Sequence, residues 1–524
     1  MLAKVYSMGL KGAAGYPVAV ELDAANGLPA FVTVGLPGNA LRESRDRVLA
    51  AMRNSGFKFP ARRVTVNLAP AQTRKEGTHF DLPIALAALS ASGHLSRGPW
   101  EASHCFVGEL ALDGTLRPVR GVLAMALEAR ARGFEAMVVP SANAAEALAS
   151  GILVKPVGSL RETARLFGPC SLDDADSPPL PEPEADTRTD GESVTAPDPG
   201  TRALDCLSDV RGQSLAKRAL EIAAAGGHNI LLMGPPGVGK SMLASRLAGL
   251  LPEPSEAEAL EIARIQSLVR PFAPSRSFRP FRSPHHGATV AALIGGGTPV
   301  RPGEVSLAHG GVLFLDELAE FPRPSLEALR QPLEEGKVVV SRANGSAAYP
   351  ARCQLVAATN PCPCGYRGHP RKGCACSPSA VARYLGRLSG PLLDRIDLQI
   401  ELGPVAFSQW AGAPGAGETS AQVRPRVAAA RRIQAERFSG KEFRLNASIT
   451  HRELRKVCSL DAEGLRLLES CAEKLALSAR SIDRALKVAR TVADLASCPT
   501  VREEHLSEAL QCRRLDRLID QGEN

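Results

Sequence analysis

Between the apolar run Ile230-Leu231-Leu232-Met233 and the helical stretch Met242 to Leu247 lies Gly234-Pro235-Pro236-Gly237-Val238-Gly239-Lys240-Ser241. No other stretch restricts the fold so tightly. Glycines let successive backbone N–H groups converge on one point, and the following helix adds the positive end of its dipole. In a G-x-x-x-x-G-K-S loop, Lys240 reaches terminal phosphates and the Ser241 hydroxyl ligates Mg²⁺. A strand that enters and a helix that leaves such a loop demand an α/β fold. The competing reading, a plain glycine turn before a helix, does not explain the Lys-Ser pair or a second motif 76 positions past Lys240.

That motif is Leu313-Phe314-Leu315-Asp316-Glu317, where an apolar strand delivers two acids at its carboxyl end. Open α/β sheets place ligands at that end. Asp316 is expected to hold Mg²⁺ through water and Glu317 to polarise an attacking water. A third apolar run, Cys353 to Thr359, ends at Asn360. Short continuous apolar runs of this kind suit buried strands of a parallel sheet covered on both faces.

The 524 residues are too many for one core, and 44% hydrophobic with 23% charged residues is the composition of a soluble globular chain. No run of about 18 apolar residues occurs, and the Met1 end has no charged head with an apolar stretch behind it, so the expected location is cytoplasmic, with no membrane partner. A net charge of +8 permits a polyanionic partner without requiring one. Twelve cysteines in such a compartment read as thiols or metal ligands.

The plainest boundary is acidic and proline-rich: nine Asp and Glu residues stand against Arg188 alone between Cys170 and Thr201. Such a segment buries too little apolar surface to order itself. Residues 171–200 are thus expected to be a linker, with a mixed α/β domain over 1–170. There Phe31 to Val34 and Val64 to Leu68 read as strands and Asp81 to Ser92 as a helix. An ATPase core is expected over 201–404 and a helical domain over 405–524, where no strand signal follows Arg424.

With these motifs in order, residues 201–524 resemble AAA+ ATPases. The resemblance makes Asn360 the polar sensor between nucleotide and water. Gly390-Pro391-Leu392-Leu393-Asp394-Arg395-Ile396-Asp397 is similar to the finger motif, and Arg395 would then project into a neighbouring subunit's site. Arg480 resembles the second sensor on the helical lid, with Arg484 as a rival, and Asp209 to Gln213 resembles the motif that opens the module near the adenine. Between the two acidic and phosphate motifs, Arg279-Pro280-Phe281-Arg282-Ser283-Pro284-His285-His286-Gly287 and Gly295-Gly296-Gly297 read as an inserted loop or hairpin. Lys337 to Arg342 reads as a strand, Ala343 to Ser346 as a turn with an Asn-Gly signal, and Ala347 to Ala358 as its return. Two such insertions resemble the clade of MCM helicases and magnesium chelatase. In MCM proteins the second hairpin carries a basic residue into a central channel, so Arg342 is either a DNA-gripping pore residue or a solvated turn cation. His285 and His286 are either pore-loop residues or structural histidines.

Lys75 to Ala85 and Gly108 to Leu123 resemble the two catalytic segments of the Lon protease domain, but His79 stands at the serine position and Leu123 at the lysine position. The resemblance therefore implies a Lon-like fold without peptidase chemistry. Cys362, Cys364, Cys374 and Cys376 form two Cys-x-Cys pairs that fit either a tetrahedral Zn²⁺ or a reduced cysteine-rich loop. Taken together, the chain resembles the YifB/ComM family: an α/β protein with an AAA+ P-loop core and a helical C-terminal lid domain, preceded by a Lon-protease-like α+β domain. That resemblance implies ATP and Mg²⁺ as cofactors and a homo-hexameric DNA motor active in branch migration during transformation. The rivals are a chelatase-type ATPase subunit driving Mg²⁺ into a porphyrin, an ATP-dependent protease, and an ATP-controlled adaptor without translocation.

Overall fold

Alternation of buried and exposed residues along Leu2–Lys11 (β1), Ala14–Ala25 (β2) and Arg63–Ala69 (β4, after β3 at Ala30–Val34) marks strands with one face on a core. In this computed structural model, which describes residues 1–168, 206–270, 272, 279–297, 300–342, 345–405, 407, 417–441, 443–475 and 477–513, they join His104–Phe106 (β5), Ala136–Pro140 (β6) and Leu153–Val157 (β7). The resulting seven-stranded mixed sheet has the order β3-β4-β2-β1-β5-β6-β7. The acidic linker expected over 171–200 lies outside the described residues. Val18, Val20, Leu22, Val64, Val66 and Leu68 bury one sheet face against Asp81–Ser92 (α1). That helix is apolar nearly all round and buried from Asp81 to Ala91, and Gly93 ends it in the left-handed conformation. On the other face, Met8, Cys105 and Met137 pack with Val122–Ala131 (α2).

The second sheet is built from five parallel strands. Ile230–Met233 (β8), Phe281–Arg282 (β9), Val312–Leu315 (β10), Gln354–Thr359 (β13, after the hairpin described below) and Leu398–Glu401 (β14) lie in the order β9-β10-β13-β8-β14. Successive side chains point to opposite faces, and this divides the core in two. Ile230, Leu232, Phe314, Val356, Ala358, Leu398 and Ile400 face one apolar cluster; Leu231, Met233, Leu313, Leu315, Leu355 and Ala357 face the other. The first cluster holds Ser214–Gly226 (α3), Lys240–Leu250 (α4) and also residues from Ser420–Arg437 (α6), Ala479–Leu495 (α7) and Glu503–Gln511 (α8). Glu256–Gln266 (α5) lies toward the second. Although the sequence of the C-terminal helices suggests a separate unit, Val423, Val427, Val488, Ala489 and Val492 share a continuous core with the sheet. No helix among the described residues is long and apolar enough to cross a membrane.

The second face carries an antiparallel hairpin, Lys337–Arg342 (β11) and Gly345–Pro350 (β12), whose Val338, Val340, Ala347 and Tyr349 turn inward. The sequence suggests one returning strand from Ala347 to Ala358. The structure corrects this to two strands, because Pro350 ends the ladder and Ala351 N donates to Gly336 O at 2.8 Å before β13 begins. Of the turn expected over Ala343 to Ser346, Gly345 and Ser346 belong to β12, while Ala343 and Asn344 lie outside the described residues. The β1–β2 turn rests on this hairpin. Ala13 N lies 3.4 Å from Ala348 O, and Gly12, at φ 64°, has no room for a Cβ, which would stand 2.5 Å from that same oxygen.

Candidate nucleotide site

Each strand of the second sheet delivers its loop to the same edge. β8 runs into the phosphate loop, β10 into Asp316 and Glu317, β13 into Asn360, and β9 into the loop that carries His285 and His286. Parallel strands make this unavoidable, since all their carboxyl ends lie on one side. Residues 75 and 120 positions apart in sequence therefore touch: Ser241 Oγ donates to Asp316 Oδ2 at 2.6 Å, and Lys240 Nζ to Asn360 Oδ1 at 2.8 Å.

The three glycines of the loop serve different ends. Gly237 and Gly239 have φ of 79° and 92°, and space around them is open. Backbone conformation is their requirement. Gly234 is crowded instead, because a Cβ there would stand 2.6 Å from Leu402 O. Pro235 and Pro236 stiffen the approach, and Val238 anchors the loop in the core beside α4. Lys240 Nζ folds back to the Gly234 and Pro235 carbonyls at 2.6 and 3.0 Å. Burial lowers its pKa from the ordinary 10.5, although Asp316 and Glu317 pull the other way.

Glu317 occupies the left-handed region at φ 52° and ψ 47°, an unusual place for a residue with a side chain. Its N–H donates to Asp316 Oδ1 at 2.9 Å, which separates the two carboxylates: Asp316 turns toward Ser241, Glu317 away. Glu317 Oε2 instead meets His286 Nδ1 at 3.1 Å. His285 stacks near His286, with ring centroids 4.0 Å apart, and accepts the Gly287 N–H on Nδ1. Part of the segment read as an inserted loop is thus the edge strand β9, and the loop behind it reaches the acidic pair.

Arg395 Nη1 donates to Pro391 O at 2.6 Å and Nη2 to Glu334, while its buried Nε has no partner among the described residues. Glu334 was not legible as a partner, since 61 positions separate the pair and no local pattern links them. Arg480 and Arg484 separate clearly. Arg480 is 74% exposed and pairs with Asp394 at 3.2 Å, next to Arg395. Arg484 is mostly buried and donates to Asp397 Oδ1 at 2.8 Å. Gln213, in the motif expected near the adenine, donates to Gly403 O at 2.8 Å. Arg342 ends β11 opposite Gly345 in the backbone ladder; its side chain lies outside the described residues. Far from this edge, His79 is buried, and burial pushes its pKa down to about 4 despite the Met8 backbone; Leu123 is fully buried.

A five-stranded parallel sheet with this loop, acidic pair and polar residue at its edge, capped by helices, defines an AAA+ ATPase module. Family comparisons agree with that class. Residues 206–410 match the family described as magnesium chelatase, subunit ChlI; residues 20–143 match subunit ChlI of Mg-chelatase; residues 417–513 match its C-terminal family. The YifB protein of Salmonella typhimurium is 45% identical over 524 residues, covering 99% of this chain and 98% of its own length. The competence protein ComM of Haemophilus influenzae is 46% identical over 531 residues, covering 100% and 99%, and the YifB protein of Escherichia coli is 45% identical over 525 residues, covering 99% and 98%. The chain belongs to the YifB/ComM family of AAA+ ATPases with magnesium-chelatase-type domains.

Proposed function

We propose that this chain is an ATP-hydrolysing motor that moves along single-stranded or branched DNA, assembled as a homo-hexamer and acting in recombination or transformation. The observation that carries the reading is the convergence of Lys240, Ser241, Asp316, Glu317 and Asn360 on one sheet edge. Residues Gly234 to Ser241 wrap the phosphates of ATP, and Lys240 exchanges the carbonyls it now contacts for the terminal phosphates. Ser241 Oγ and Asp316 Oδ2, hard oxygen donors 2.6 Å apart, fit Mg²⁺. The ion, when bound, neutralises phosphate charge. Glu317 takes the proton of the attacking water and Asn360 orients that water. Arg395, released from Glu334, reaches the neighbouring subunit's phosphates, and exposed Arg480 completes the site from the helical lid.

DNA is the polyanion, gripped through Arg342 and the His285–His286 loop, which are contacts to phosphate rather than to bases. A full-length relative named as a competence protein supports this choice. Residues 1–170 act as a Lon-like ring-organising module without peptidase chemistry, because neutral His79 and apolar Leu123 cannot replace a serine and lysine. The cysteine quartet takes Zn²⁺, and the protein works in the cytoplasm. A second reading, a chelatase-type ATPase subunit that drives Mg²⁺ into a porphyrin, is favoured by the names of the matching families. ATP turnover measured with single-stranded, duplex and branched DNA separates the two. Stimulation by DNA with unwinding of the branched substrate is expected. Turnover indifferent to every DNA, and unchanged in Arg342→Ala, sinks the motor.

A further inference from the structure

From Asn360 to Ser377 the chain runs eighteen residues between β13 and the helix Pro378–Leu385 with no strand or helix of its own. An irregular segment of that length inside a packed domain needs something other than secondary structure to hold it. Within it, Cys362 Sγ lies 3.4 Å from Cys364 Sγ and 3.6 Å from Cys374 Sγ, and Cys364 Sγ lies 3.6 Å from Cys374 Sγ. All four sulfurs, with Cys376, fall within 4.8 Å of one another. These separations are far too long for S–S bonds. They approach the ~3.8 Å between corners of a tetrahedron whose centre is ~2.3 Å from each sulfur, the zinc–thiolate distance.

The loop is shaped for this. Gly365, at φ 81°, donates its N–H to Cys362 O at 2.9 Å and turns the chain so that Cys364 faces Cys362 across a single proline. His369 does not join this group, and its Nδ1 accepts the Arg371 and Lys372 N–H groups at 3.1 and 3.0 Å, so the ligand set is the four sulfurs. Four thiolates around a divalent ion carry two net negative charges, and Arg367, Arg371 and Lys372 on the same loop oppose them. Soft sulfur donors favour Zn²⁺ over Mg²⁺ or Ca²⁺, and a filled tetrahedron leaves no position for catalysis.

Its location gives the cluster a purpose. Cys362 is buried in the apolar cluster under β10 and β13, two residues beyond Asn360. At Gly365 a Cβ would stand 2.6 Å from Pro236 Cδ and 3.8 Å from Asn360 Cγ. The cysteine loop therefore lies directly on the phosphate loop and the residue that pairs with Lys240. We propose that Cys362, Cys364, Cys374 and Cys376 bind one Zn²⁺, and that this ion braces the phosphate loop through Gly365 and Pro236, making nucleotide affinity dependent on zinc. The second half rests on the nucleotide-site reading; the metal site does not.

The test begins with the full chain purified under reducing conditions. Metal analysis is expected to find about one zinc per chain, lost in Cys374→Ser/Cys376→Ser. Since that variant can misfold, wild-type chain stripped by a chelator is also refilled with Co²⁺, whose tetrahedral thiolate absorption reports the ligand set without any mutation. Binding of a fluorescent ATP analogue is expected to weaken about tenfold or more in the stripped chain and to return on adding Zn²⁺. Wild-type chain that binds the analogue but holds no zinc and gives no cobalt–thiolate bands overturns the site. Equal nucleotide affinity with and without zinc overturns the brace. A zinc-loaded chain that binds no nucleotide instead contradicts the ATPase reading and leaves the metal site standing.

Discussion

His286 Nδ1 stands 3.1 Å from Glu317 Oε2, so the carboxylate proposed to accept a proton from water is already in polar contact with the loop behind the edge strand. That loop is one of the proposed DNA contacts. Under the proposed function, DNA that draws His286 away would free Glu317 and raise turnover.

Replacing His286 by alanine is therefore expected to raise ATP turnover without DNA by about fivefold, the rate equivalent of ~1 kcal/mol for a partly exposed, charge-assisted contact. The ratio of DNA-stimulated to basal rates falls correspondingly. A steady-state assay with and without single-stranded DNA reads both. A basal rate that stays level or drops means the contact does not restrain Glu317.

Glu317→Gln is expected to bind ATP normally and lose about 10²–10⁴-fold in turnover, because the amide cannot take the proton. Arg395→Ala is expected to lose about 10³-fold or more. If Arg395 serves a neighbouring site, an equimolar mixture of Glu317→Gln with Arg395→Ala forms some interfaces with both groups intact and regains measurable turnover. A mixture as inactive as its parts contradicts action between subunits.

Asp494 is fully buried between Arg437 and Arg490, accepting from Arg437 Nη1 at 2.8 Å, Arg490 Nη2 at 2.9 Å and Asn446 Nδ2 at 2.8 Å. Asp494→Ala leaves the guanidinium of Arg490 buried without its carboxylate. A loss of about 3–5 kcal/mol is expected, measured as a shift in the urea midpoint of the full chain. A shift equivalent to less than about 1 kcal/mol shows that the helices relax around the charge.

Asp397 links β14, β8 and α7, meeting His228 Nδ1 at 3.0 Å and Arg484 Nη1 at 2.8 Å. Burial alone would raise its pKa. The His228 hydrogen bond and charge, with the charges of Arg484 and Lys487, outweigh burial and hold it at about 2, below the ordinary 3.8. A depressed carboxyl contributes stability that is complete above its unfolded pKa and lost as pH falls through its folded one. The stability gap between wild type and Asp397→Asn is thus expected to be roughly 2 kcal/mol near neutrality, closing between pH 3.8 and about 2. Denaturant titrations across that range check it; a gap that widens with acid is the opposite sign.

Gly12→Val should unseat the β1–β2 turn from the hairpin, since its Cβ would lie 2.5 Å from Ala348 O at a φ of 64°. Hydrogen exchange over 337–342 and 345–350 is expected to quicken while β10 and β13 stay protected. Unchanged exchange places the hairpin's support elsewhere.

Much of the site was readable because its signals are local. The Lys-Ser pair after glycines, two acids after an apolar strand, and Asn360 after another each need only their own neighbours. The pairings Arg395–Glu334, Arg480–Asp394 and His286–Glu317 were not readable, because they join segments 61, 86 and 31 positions apart through the packing of other elements. Arg480 and Arg484 illustrate the limit well. They stand four residues apart on one helix, Arg480 the candidate and Arg484 its rival, and α7 turns the first toward solvent and the second toward Asp397.

The sequence by itself determined that this chain builds a phosphate loop, since Gly237 and Gly239 satisfy a backbone requirement that no later packing can supply. It also determined the strands that feed the site, through apolar runs that must be buried. The tertiary structure alone decided which loop reaches which, because parallel strands gather their carboxyl ends whatever their order in the chain. It placed Ser241 on Asp316, Lys240 on Asn360, His286 on Glu317 and Gly365 on Pro236. Those contacts depend on sheet order and crossover packing, which are properties of the whole core rather than of any segment.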